Sequence, residues 1–237
     1  MNNRKPLYLL AGGREGSTRS TNQILQEVFR EIGKVSPSIA YVGVASDDNR
    51  IFYQFIAGMI KKTGNCKVTR VLICSPKADI SKARGTLESA DAIFMSGGDV
   101  EMGMQVLEEK NLAGFLRDLY EQGKLFFGAS AGSIMLAGEW VRWKDSDDDS
   151  TAELFPCLGL APIICDTHAE DDDWAELKMA LKLSEDNVQG YGIPADACLK
   201  VYPDSRVEAL GGAITRYVRH SGQVEQQADL LPNDHTK

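Results

Sequence analysis

KLFFGASAGSIMLAGEW, residues Lys124 to Trp140, sets an apolar run, a small-residue turn and a helix-like segment in direct succession. That order decides the fold reading. A strand that turns sharply into a helix through Gly128-Ala129-Ser130-Ala131-Gly132 marks a joint of an α/β sheet. A serine at the apex is held in a strained conformation that exposes its hydroxyl, and small neighbours let strand and helix pass closely. The N–H of Ala131 then points at any developing oxyanion, aided by the positive end of the helix dipole. A glycine-rich turn that merely packs is the competing reading, and the surrounding chain weighs against it.

Upstream of this stretch, short apolar runs alternate with helix-like segments. Leu7 to Ala11, Ser38 to Ala45, Lys67 to Cys74, Asp91 to Met95 and Lys124 to Phe127 read as the first five strands. Helical spacing recurs over Thr21 to Ile32, Asn49 to Lys62, Ile80 to Ala90 and Val106 to Glu121. Strand, crossover helix and strand in repetition predict an α/β fold with a mainly parallel sheet, helices on both faces, and ligands beyond the carboxyl ends of the strands.

Downstream, Ala131 to Trp140 reads as helix, Arg142 to Pro156 as an acid-rich loop, Ala161 to Cys165 as strand and Asp172 to Leu183 as helix. Val188 to Ile193, Ala197 to Tyr202, Val207 to Leu210 and Ala213 to Val218 suggest a C-terminal antiparallel strand region or flap. The expected organisation is one domain over residues 1–219 and a polar tail over 220–237.

Composition narrows the function. The chain of 237 residues is 43% hydrophobic and 25% charged, and both are globular values. A formal charge of -8 with no basic stripe argues against a nucleic-acid partner. The apolar run in MNNRKPLYLLAGG is shorter than a signal-peptide core, and none elsewhere approaches a membrane span. Five cysteines without CxxC spacing make a cytoplasmic chain with buried thiols the default.

Three further elements carry candidate chemistry. Ser96-Gly97-Gly98-Asp99 follows a strand, and its amides can complete an oxyanion hole. Only three histidines occur, and His220 and His235 fall in or beside the tail. His168, in Asp166-Thr167-His168 just past a strand, is therefore the candidate base for Ser130. The orienting acid is open among Asp145, Asp147, Asp148 and Asp149 in one loop and Asp171 to Asp173 in another. Asp99 and Asp171 are the candidate substrate-contacting carboxylates. The acidic runs match no calcium-loop spacing, so no metal is expected.

Together, the glycine pair after the fourth strand, GASAG after the fifth and the later DTH resemble the peptidase E (aspartyl dipeptidase) and cyanophycinase family, over roughly Leu7 to Val218. The resemblance implies a class I glutamine amidotransferase-like fold with serine replacing cysteine. It also implies attack by Ser130, proton transfer by His168, and oxyanion donors at Gly98 and Ala131, without a cofactor. The substrate would be a small peptide, cleaved by a monomer or homodimer. Two departures matter. The family's offset for an acid lands on Asp145 within the unlike segment WKDSDDDS, and near GIPADA this chain has Ala195 with Asp196 beside it, which leaves Asp196 as alternative acid. Relatives also carry arginines after the histidine, whereas this chain reads AEDDDWAELK. A catalytically silent binding or regulatory module of the same fold is the alternative function.

Overall fold

The computed structural model describes residues 3–12 and 19–233. In chain order the first half comprises β1 (Leu7–Leu10), α1 (Arg19–Ile32), β2 (Ser38–Val42), α2 (Arg50–Thr63), β3 (Lys67–Val71), α3 (Ile80–Ser89), β4 (Ala92–Met95), α4 (Val100–Glu109), α5 (Ala113–Glu121) and β5 (Leu125–Ala129). There follow α6 (Ala131–Leu136), β6 (Glu139–Trp143), β7 (Ala152–Pro156), β8 (Ile164–Thr167), α7 (Ala175–Leu183), β9 (Gln189–Ile193), β10 (Cys198–Val201), β11 (Val207–Leu210), β12 (Ile214–His220) and β13 (Gln223–Leu230).

The main sheet runs β11-β10-β1-β5-β4-β2-β3, with the five strands from β1 to β3 parallel and β10 and β11 added antiparallel beside β1. Both faces are covered, as the near-continuous apolar strands require. Leu7 and Leu9 of β1 enter one buried cluster, while Tyr8 and Leu10 enter the other, on the opposite face. Helix α1 closes that second face with Ile24, Leu25 and Val28. Helices α2, α3 and α4 start on side-chain caps: Asn49 accepts from the amides of Ile51 and Phe52, Asp79 from Lys82, and Asp99 from Met102.

Several elements depart from the sequence expectation. The helix expected over Val106 to Glu121 is two helices, because Asn111 turns left-handed at φ 53° and the amide of Leu112 returns to the carbonyl of Leu107. Helix α6 stops at Leu136 and does not reach Trp140, since Gly138 is tied by its amide to Ile163 and by its carbonyl to Cys157. The acid-rich loop is largely a hairpin: β6 pairs with β7, and Trp140 faces Phe155 with both buried. Its tip, from Lys144 to Ser150, is exposed.

A further departure is the tail. Residues Gln223–Leu230 form β13, paired antiparallel with β12, while Val224 and Leu230 pack on the core. Its remaining side chains are mostly polar and exposed, so apolar periodicity gives no sign of a strand whose order rests on backbone pairing. Residues 234–237, with His235, lie outside the described residues. The expected antiparallel region is divided: β10 and β11 extend the main sheet, whereas β9 and β12 join β8 and β13 in a second sheet.

Candidate active site

Ser130 stands between β5 and α6 at φ 54° and ψ −129°, a sterically costly conformation for a residue with a side chain. Surrounding structure holds it there. Its amide bonds to the carbonyl of Leu10 on β1, and the buried Ser133 hydroxyl donates to the same carbonyl at 2.7 Å. Gly132 makes the approach possible, because a Cβ there would lie 2.1 Å from the carbonyl oxygen of Met95. The small residues flanking Ser130 are thus a packing requirement of the β5–α6 joint.

His168 follows β8, which runs parallel to β9 and packs against α6. The His168 amide donates to the carbonyl of Ile193 at 2.9 Å, and its backbone is left-handed at φ 47°. These constraints bring its ring to the serine: Nε2 lies 2.8 Å from Ser130 Oγ. For Nε2 to accept that proton, the ring hydrogen must reside on Nδ1.

The amides of Gly98 and Ala131 donate to no backbone carbonyl among the described residues. Ala131 is the first residue of α6, where an N–H has no intrahelical acceptor. At Gly98, φ is 142° and a Cβ would lie 1.8 Å from the carbonyl oxygen of Ala45. Both residues, with Ser130 and His168, line a cavity of about 310 Å³.

The carboxylates expected around the site lie elsewhere. Asp145 is exposed and accepts the amide of Asp147 within its own loop. Asp196 accepts the hydroxyl of Thr21 with its side chain and that of Ser20 with its carbonyl. Neither is bonded to His168, whose only side-chain hydrogen bond among the described residues is to Ser130. Asp99 caps α4, and Asp171 sits exposed on the single helical turn Glu170–Asp172.

Of the acids the sequence left open, Asp172 does reach the cavity, and it lines it together with Asp166, Glu176 and Trp140. Asp166 is 5% exposed; its Oδ1 accepts the amide of Thr167, and its buried Oδ2 has no hydrogen-bond partner among the described residues. Burial, abetted by the charges of Glu176, Asp172 and Glu170, pushes the Asp166 carboxyl up to about 7. Glu176, though an exposed residue, is raised as well, by partial desolvation of its carboxyl and by the neighbouring Asp172. Sequence reasoning quoted Asp166 but gave it no role. Strand alternation could not have found it, because His168 lies past the end of β8 in a left-handed conformation.

A serine forced into an elbow conformation, an imidazole in hydrogen-bond contact with it and two amides that meet no backbone acceptor among the described residues form the arrangement expected of a serine-type peptidase or related acyl-transfer hydrolase. The chain belongs to peptidase family S51, whose model matches residues 7–208. It is 26% identical over 220 residues to the cyanophycinases of Synechococcus elongatus and Thermosynechococcus vestitus, spanning 89% of this chain and 67% of theirs. Its fold is similar to that of a peptidase from an acI-B1 Actinobacterium, with a TM-score of 0.74 at 17% identity, covering 98% of this chain and 96% of that one. The chain is therefore a serine-type peptidase by family. Among the described residues, no helix is long and apolar enough to cross a membrane.

Proposed function

We propose that the chain hydrolyses a peptide or isopeptide bond of a small peptide, with Ser130 as nucleophile and His168 as general base. The observation that carries this is the 2.8 Å approach of Nε2 to the hydroxyl of an elbow serine. Oγ bonds to the scissile carbonyl carbon as its proton passes to Nε2, and the oxyanion is held by the amides of Gly98 and Ala131. Collapse of the intermediate breaks the C–N bond, and the leaving amine takes the proton from His168. Water then repeats the sequence on the acyl-enzyme and frees Ser130. The imidazole is positioned by the His168–Ile193 backbone bond and the turn after β8, so neither Asp145 nor Asp196 is assigned the orienting role.

Specificity follows from charge. A carboxylate-bearing substrate would meet Asp172 and Glu176 in the wall beside Ser130, where the resemblance leads one to expect arginines. Neutral or cationic groups suit that wall better. The test is hydrolysis of Asp-Leu, Leu-Leu, Lys-Leu and β-aspartyl-arginine at low and high salt. Asp-Leu should be the poorest, by roughly tenfold or more at low salt, with the gap narrowing as salt rises. A preference for Asp-Leu would overturn the assignment. A catalytically silent binding module is the second reading, favoured by the lack of any carboxylate bonded to His168 among the described residues.

A further inference from the structure

A second cavity, of about 250 Å³, reaches Ser130 and His168 from the side of α1 and α2. Its floor is core: Leu25, Ile60 and Phe94 are 4%, 2% and 3% exposed. Its outer wall is one stripe of α2, formed by Phe52, Phe55, Ile56 and Met59 at successive helical spacings. A surface helix normally buries such a stripe against its neighbours, yet Phe55 remains 55% exposed. No Asp, Glu, Lys or Arg lines the cavity among the described residues, and the hydroxyl of Thr21, its polar wall residue on α1, donates to Asp196.

Among the described residues a charged occupant would meet no counter-ion there, so this lining favours an apolar group. Apolar cavities of roughly 150 Å³ hold benzene, which makes this one large enough for an aromatic or branched aliphatic group. The two reacting side chains form part of its lining, so an occupant is continuous with a carbonyl on Ser130.

We propose that this cavity binds an apolar side chain of the peptide substrate, of the leucine or phenylalanine class, on one side of the scissile bond. The proposal rests on the assignment of Ser130 as nucleophile. It draws on a different cavity from the acidic one and gives the substrate two unlike ends.

The test uses the full chain and two dipeptide series, Ala-X and X-Ala, with X as Ala, Leu, Phe or Asp. In one series kcat/KM should rise at least tenfold from Ala to Leu, as expected for burying a branched side chain, and Asp should be worst. Phe55→Ser, at a mostly exposed position that tolerates a polar residue, and Met59→Ser should each shrink that Leu-to-Ala ratio threefold or more. Flat series in an active enzyme, or ratios unchanged in both variants, overturn the proposal. A substrate-free arm follows 4-fluorobenzyl alcohol by fluorine NMR, with saturable binding to the wild type and to Ser130→Ala that is weakened at least threefold by Met59→Ser. Should no dipeptide be cleaved and no fluorophosphonate mark Ser130, the peptidase assignment fails by itself and this arm judges the cavity. Absent binding, or equal binding to wild type and Met59→Ser, then overturns the proposal.

Discussion

Replacing Asp166 with asparagine should change how stability depends on pH, by an amount the site sets. The folded-state carboxyl titrates at about 7 against an ordinary value of 3.8, with burial the principal cause. Between those values the folded protein holds a proton that the unfolded chain has released, so wild-type stability falls as pH rises through the window. About three pH units at roughly 1.36 kcal/mol each put a ceiling of about 4 kcal/mol on the loss, and part is relieved by local relaxation. The substituted amide side chain keeps a carbonyl for the amide of Thr167 and carries no charge, so this loss disappears from the variant. A constant offset from the new buried amide group is expected at all pH values. The informative quantity is therefore the difference between the two urea-unfolding free energies, measured from pH 4.5 to 8. It should shift in favour of Asp166→Asn by about 2–4 kcal/mol across that range, most steeply below pH 7. Curves that stay parallel within about 0.5 kcal/mol would mean that Asp166 is ionised without penalty, and the description of the acidic wall would be wrong.

Gly132→Ala should destabilise by roughly 3 kcal/mol or more in the same denaturation assay, because the added Cβ would lie 2.1 Å from the carbonyl oxygen of Met95. Asp145→Asn should leave kcat/KM within about threefold of wild type, since its carboxylate serves only its own exposed loop; a hundredfold loss would restore it as the orienting acid. Glu176→Gln should improve the relative hydrolysis of Asp-Leu over Lys-Leu several-fold at low salt, and an unchanged ratio would separate the acidic wall from specificity.

Much of this was readable before any coordinates, for reasons that differ by element. The inner parallel strands β1, β5, β4 and β2 could be found because burial on both faces leaves them almost wholly apolar, and the β5–α6 joint because close packing permits only small residues there. Ser130, His168, Gly98 and Ala131 come together because each stands at a strand end or helix start, which local sequence marks. The β6–β7 hairpin was hidden by its acidic tip, and β13 by exposed polar side chains that carry no period. The acids failed for another reason. Asp145 was placed by sequence offset, and an offset within an exposed loop does not fix a side chain in space. Asp166, Asp172 and Glu176 converge only because β8 packs against α6 and α7 packs against β8, a tertiary relation that spacing cannot encode.

The central assignment is tested most directly by covalent labelling with a fluorophosphonate, read by intact mass and peptide mapping. The expected result is one adduct on Ser130, no adduct in Ser130→Ala, and labelling slowed on the order of a hundredfold or more in His168→Ala, as for a serine that depends on its histidine. An adduct on another residue, or equal labelling of wild type and Ser130→Ala, would contradict it.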